Sequence, residues 1–245
     1  SSLCLYSSLK AIYLYYSLET QSNIPTYEIE ALYDLYNTTA GDNWKWTAGL
    51  GSPWIFSSDC NPCIENWQGV DCSTNSSDLH ISSLTLDSMN LYGTLPNTIG
   101  SLRYMVFFSS TNNKIHGTIL GNWTLLEHFT ISANTIKLQY NQLTGTISSD
   151  FLFLRYLSDL DLQHNALYGT LPEKLGTITS LYAFAVNNNY FEGTLPYSYG
   201  NLTYLRYFYC DNNMFTGSIP SSYARLTGLV SYSFNYNWLT LHCYS

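Results

Sequence analysis

The sequence predicts a solenoid, one elongated α/β domain built mostly of short β-strands and turns. Three observations carry that expectation. Gly93, Gly117, Gly145, Gly169, Gly193 and Gly217 are separated by 24, 28, 24, 24 and 24 residues, a period at which a unit cannot bury its apolar face alone and must stack on neighbours. Four residues before each glycine stands Asn113, Asn141, Asn165, Asn189 or Asn213, with Asn237 closing the series and Met89 replacing asparagine in the first unit. Counting back eight, five and three positions from the asparagines gives inward apolar triplets, such as Leu157, Leu160, Leu162 and Leu205, Phe208, Cys210.

The last two members of each triplet alternate with polar neighbours, as in a strand with one buried face. Seven such strands are expected, centred near Leu84, Phe108, Ile136, Leu160, Phe184, Phe208 and Tyr232. Each asparagine is placed to satisfy backbone groups where the strand bends away, since an unpaired buried amide is costly. Three segments are distinguished: a tyrosine-rich extension over 1–24, a cap over 25–80 and repeats over 81–245. In the cap, Ile29, Leu32 and Tyr36 share one face of a helix for which Thr26 is the expected N-cap.

Leu91-Tyr92-Gly93-Thr94-Leu95-Pro96, Leu167-Tyr168-Gly169-Thr170-Leu171-Pro172 and Phe215-Thr216-Gly217-Ser218-Ile219-Pro220 resemble the plant-type leucine-rich repeat of 24 residues. The resemblance implies a curved parallel concave sheet of about seven strands, a second short strand at the Gly-Thr-Leu-Pro segments, and a helical, disulfide-bonded cap. Upstream, Thr39-Ala40-Gly41-Asp42-Asn43-Trp44 and Cys63 through Trp67-Gln68-Gly69-Val70-Asp71-Cys72 resemble the cap of that family, in wording similar to secreted or surface versions from algae, oomycetes and related microbial eukaryotes. Family likeness implies a Cys63–Cys72 disulfide and, by analogy with some related caps, a Cys4–Cys60 pair. At its inward position Cys210 reads as a buried thiol. Cys60-x-x-Cys63 lacks a second such pair, so no metal site is expected.

Composition narrows the partner. With 9 Lys+Arg against 17 Asp+Glu, a net charge of −8 and 23 tyrosines, the chain lacks a basic nucleic-acid surface. No membrane span is present in the sequence. Sequons at Asn37, Asn75, Asn122 and Asn201 point to N-linked glycans and an extracellular, secreted or cell-surface setting. No other cofactor is expected.

The strand register lists an outward face: Phe107, Ser109; Thr135, Lys137; Asp159, Asp161; Ala183, Ala185; Tyr207, Tyr209; Ser231, Ser233, with Asp211 beyond. Phe107, Lys137, Asp159, Asp161, Tyr207, Tyr209 and Asp211 are the candidate binding residues. Tyr207 and Tyr209 beside Ala183 and Ala185 make an aromatic step next to a shallow floor, suited to a sugar ring or a partner's side chain. The Asp159/Asp161 pair, on an open sheet, lacks the enclosing cleft that carboxylate catalysis needs, so no enzymatic activity is expected. Two functions compete: recognition of a protein or carbohydrate ligand on the concave face, and a structural role in which copies assemble head-to-tail into a glycosylated fibril or coat. Within the 28-residue interval, Ala133, Ile136, Leu138 and Asn141 keep phase, which favours a bulge over the competing ladder Leu126-x-x-Phe129-x-Ile131-x-x-Asn134. Ser110, polar at an inward position, has no explanation in the pattern.

Overall fold

The computed structural model describes residues 24–57, 59–75, 78–119 and 134–240. The extension and its Cys4, the competing ladder before Asn134, and the C-terminal Cys243 lie outside them.

Two sheets run the length of the repeats. The concave sheet contains β1 (Val70–Asn75), β2 (Asp78–Thr85), β4 (Phe107–Ser109), β6 (Asn134–Lys137), β8 (Leu157–Asp161), β10 (Ala183–Ala185), β12 (Tyr207–Tyr209) and β14 (Ser231–Ser233), in that spatial order. The flanking sheet contains β3 (Tyr92–Thr94), β5 (Lys114–Thr118), β7 (Gln142–Gly145), β9 (Ala166–Gly169), β11 (Tyr190–Thr194), β13 (Met214–Gly217) and β15 (Trp238–Leu239). From β2 onward neighbouring concave strands are parallel, and Leu84, Phe108, Ile136, Leu160, Phe184, Phe208 and Tyr232 align across them. All seven expected strands are present, and Ile136 keeps the phase despite the four extra residues.

An eighth strand was not expected. β1 pairs antiparallel with β2, Val70 opposite Leu84, so the cap closes the leading edge of the sheet with a strand as well as a helix. Cys72 on β1 bonds to Cys63, joining the strand to the loop before it.

The asparagine ladder works through the backbone. Asn165 Oδ1 accepts from Leu143 N–H and its Nδ2 donates to Leu138 C=O, both at 3.0 Å. Asn113, Asn141, Asn189, Asn213 and Asn237 make the same pair of bonds to the preceding repeat. Ser110 also finds its role here, because its Oγ accepts from Asn113 Nδ2 at 3.2 Å. Gly193 has φ +77°, and an added Cβ there would stand 2.9 Å from Thr170 Cγ2. The turn therefore excludes a side chain on both counts.

Prolines 96, 172, 196 and 220 precede short 3₁₀ turns on the convex side, where a missing N–H costs nothing. The core between the sheets is apolar from Leu84 to Leu226, with Phe184 and Phe208 stacked at 5.7 Å. Cys210 is fully buried there, and burial pushes its thiol pKa far up.

Helix α1 (Thr26–Thr38) differs from expectation in its cap and its buried face. Pro25 occupies the N-cap position without a side-chain bond, and the buried residues are Glu28, Ala31, Leu32 and Leu35. Ile29 and Tyr36 flank that face, because the helix packs against β2 through Glu28. Its carboxylate accepts from Ile81 N–H at 2.8 Å and meets His80 Nδ1 at 2.7 Å. Behind the helix Trp44, Trp54 and Trp67 are buried, with Trp54 and Trp67 stacked at 5.6 Å.

Candidate functional site

The concave register brings five of the seven candidate binding residues to one place. Thr135, Asp159, Ala183 and Tyr207 align across β6, β8, β10 and β12, and Lys137, Asp161, Ala185 and Tyr209 form the next row. Because alanines stand between aspartates on one side and tyrosines on the other, the surface sinks between them. Lys137, Asp159, Asp161, Gln163, Ala183, Ala185, Tyr207 and Tyr209 line a hollow of about 230 Å³. Phe107 reaches it only indirectly: Lys137 Nζ lies 5.9 Å over the Phe107 ring. Asp211 stays outside, its carboxylate accepting from Asn212 Nδ2 at 2.7 Å.

The two aspartates differ in environment. Asp161 accepts from Gln163 N–H at 3.1 Å and from Gln163 Nε2 at 2.9 Å. Burial raises its pKa above the usual carboxylate value, opposed by those bonds and by the more distant Lys137 and His164. Asp159 is half-buried, and its carboxylate makes no hydrogen bond or ion pair among the described residues. Cross-strand neighbours of Asp159 are Thr135 and Ala183, neither of which carries a positive charge.

Periodicity did not reveal the tyrosines on the flank of this surface. Tyr182 packs 5.5 Å from Tyr207 and 5.9 Å from Tyr204, whose ring carries the Arg206 guanidinium at 5.3 Å. Tyr182 and Arg206 occupy the column immediately before each strand, a position the inward-outward alternation does not classify. Gln163 and Asn187 stand two residues beyond Asp161 and Ala185 on the outward register, and nothing in the sequence marks the hydrogen bond between them.

A larger hollow, about 630 Å³, lies on the cap between α1 and the loop that holds Cys60, lined by Ile24, Ile29, Cys60 and Ile64 among others. Cys60 is half-buried and carries no disulfide among the described residues; its proposed partner Cys4 lies outside them. Among the described residues no group of three or more His, Cys, Asp or Glu is arranged to hold a metal. Asn37 is exposed in the last turn of α1, and Asn201 is exposed at the end of a convex 3₁₀ turn, accepting from Arg225. Asn75 ends β1, and Asn122 lies outside the described residues.

Residues 204–226 match the family described as Leucine Rich Repeat. Over 118 residues the chain is 36% identical to Protein STRUBBELIG-RECEPTOR FAMILY 3 of Arabidopsis thaliana, a match covering 46% of this chain and 14% of that protein. Among solved structures, PEPR1–AtPEP1 superposes on 86% of this chain and 28% of its own, with a TM-score of 0.71 and 26% identity. The Arabidopsis receptor kinase HAESA, solved with the peptide hormone IDA and the co-receptor SERK1, covers 86% of this chain and 33% of its own, with a TM-score of 0.66 and 27% identity. No helix among the described residues is long and apolar enough to cross a membrane. With the two-sheet fold, the asparagine ladder and these likenesses together, the chain carries a leucine-rich repeat solenoid resembling plant receptor ectodomains, and it spans less than a third of the length of the first relatives it matches.

Proposed function

We propose that this domain recognises a peptide segment of a protein partner on its concave face, centred on β8, β10 and β12. The observation that carries the proposal is the hollow: a floor of Ala183 and Ala185, a wall of Tyr207 and Tyr209, and a free carboxylate at Asp159. Tyrosines beside a small-residue floor offer large contact area with little entropy to lose, the composition of binding hot spots. The likeness to HAESA, solved with a peptide hormone, supports a peptide over other ligands. The test is selection of a displayed random-peptide library on the immobilised full chain. Peptides should be retained, and Tyr207→Ala with Tyr209→Ala should weaken them at least tenfold; failure to retain any peptide, or indifference to both substitutions, overturns the reading.

Head-to-tail assembly is the second reading, supported by the apolar side chains of the last strands. Val230, Tyr232 and Trp238 are 69%, 61% and 69% exposed. Long fibres under negative stain would favour it over peptide capture. A carbohydrate ligand draws support only from the tyrosine step, and the acidic wall gives it no advantage.

We further propose N-glycans at Asn37, Asn75, Asn122 and Asn201, and a Cys4–Cys60 disulfide. The wording of the cap from Thr39 to Trp44 supports a relationship to versions from algae, oomycetes and related microbial eukaryotes. Non-reducing peptide mapping of the secreted protein should yield glycopeptides at the four sequons and a Cys4–Cys60 cross-link; unmodified asparagines or alkylated Cys60 would remove the respective proposal.

A further inference from the structure

The concave hollow holds a carboxylate that no donor of the described residues satisfies. The Asp159 carboxylate makes no hydrogen bond or ion pair among the described residues. Next to it, Asn187 Oδ1, on a side chain bonded to the lining residue Gln163, is buried without a donor. Asn187 is 9% exposed, and it stands two residues beyond Ala185 on the same strand face. Its Nδ2 donates to Gln163 Oε1 at 3.3 Å, so the amide faces the hollow's own lining residue while its acceptor stays unsatisfied. A buried polar group without a partner within the fold is uncommon in a native protein and marks strain, a bound water or a ligand.

The chain's own cation does not correct the imbalance. Lys137 lies opposite Asp161, not Asp159, and its ammonium sits over the Phe107 ring. Across the hollow stand Tyr207 and Tyr209, with Ala183 and Ala185 between them and the carboxylate. At about 230 Å³ the hollow is smaller than the roughly 300–1,000 Å³ of sites for drug-sized ligands. It is a space for one side chain.

We infer that the hollow is the specificity pocket for an arginine side chain of the bound peptide, its guanidinium paired with Asp159 and laid against Tyr207 and Tyr209. Guanidinium alone among side chains offers five N–H donors in a fixed fork and no acceptor. Its plane also stacks on aromatic faces, which a lysine ammonium does not reproduce. The inference rests on the peptide reading above and adds to it the chemistry of the recognised residue.

The same library selection tests it. Retained peptides should be enriched in arginine, and replacing that arginine by citrulline, which keeps the shape and loses the charge, should weaken binding at least tenfold. Lysine in its place should weaken binding less. Asp159→Asn should reproduce the citrulline loss against the arginine peptide while leaving the thermal unfolding midpoint unchanged, because Asp159 has no partner within the fold. Peptides that are lost on Tyr207→Ala yet lack arginine, or that ignore Asp159→Asn, would overturn the arginine pocket and leave concave-face recognition standing. A library from which nothing is retained would overturn both.

Discussion

Asn189 condenses the repeat into one side chain. It accepts from Leu167 N–H and donates to Leu162, Val186 and Asn187 carbonyls, at 6% exposure. Alanine there leaves a buried N–H without an acceptor, a deficit of about 2 kcal/mol. Asn189→Ala should therefore lower the urea midpoint by a corresponding amount with an unchanged m-value, whereas a midpoint within error of the parent would refute the ladder's energetic role. The ladder was legible because only a short amide fits a bend that needs an acceptor and donors together. Ser110 was not, since its function depends on Asn113 across the bend. The site was partly legible: register placed aspartates, alanines and tyrosines on one face. Their relative heights, and hence the hollow that buries Asp161, follow from side-chain packing across strands that no single strand's sequence records.

At the scale of elements, the repeats were more readable than the cap. Strand and turn recur at one period, so every unit repeats the same signal. In Val70-Asp71-Cys72-Ser73-Thr74-Asn75 the alternation is weak, and pairing with β2 is fixed by the disulfide and the edge it covers rather than by its own pattern. Helix α1 likewise buries Glu28, which hydrophobic periodicity assigns to water. That carboxylate joins α1 to β2, and burial raises its pKa above the ordinary 4.5, opposed by the bonds from Ile81 and His80. Charges around this contact include Arg103 and Asp78, which act on the adjacent Tyr27, and the ring of Tyr104 stacks on His80. A carboxyl whose folded pKa is raised contributes stability that is fully present below 4.5 and is lost as pH rises through the folded value. Relative to Glu28→Gln, which retains the shape and an acceptor for Ile81, the parent protein should gain thermal stability as pH falls from neutral toward 4.5. Parallel melting curves across that window would show that the contact does not titrate with the fold.

For the whole molecule, stability is distributed along one axis, each repeat touching only its neighbours. Units along that axis differ in burial among the described residues. Phe208 is fully buried between neighbouring repeats, whereas Trp238, on β15, is 69% exposed. Phe208→Ala should cost about 3–5 kcal/mol, and Trp238→Ala should stay within about 0.5 kcal/mol, both by chemical denaturation. A large loss at Trp238 would mean that the last strand is covered in solution, as assembly through that edge requires.

One further property follows from the way the asparagines bind. Asn165, Asn189, Asn213 and Asn237 reach back 22 residues to their N–H donor, whereas Asn141 reaches back 26 to Ile115 at the same 3.0 Å. Register is read at the two ends of each unit, and the amount of chain spooled out between them goes uncounted. A lineage could thus lengthen one unit, decorate it or shorten it again without disturbing the concave surface. The concave sheet and the connections between its strands are, in this architecture, free to evolve on separate schedules.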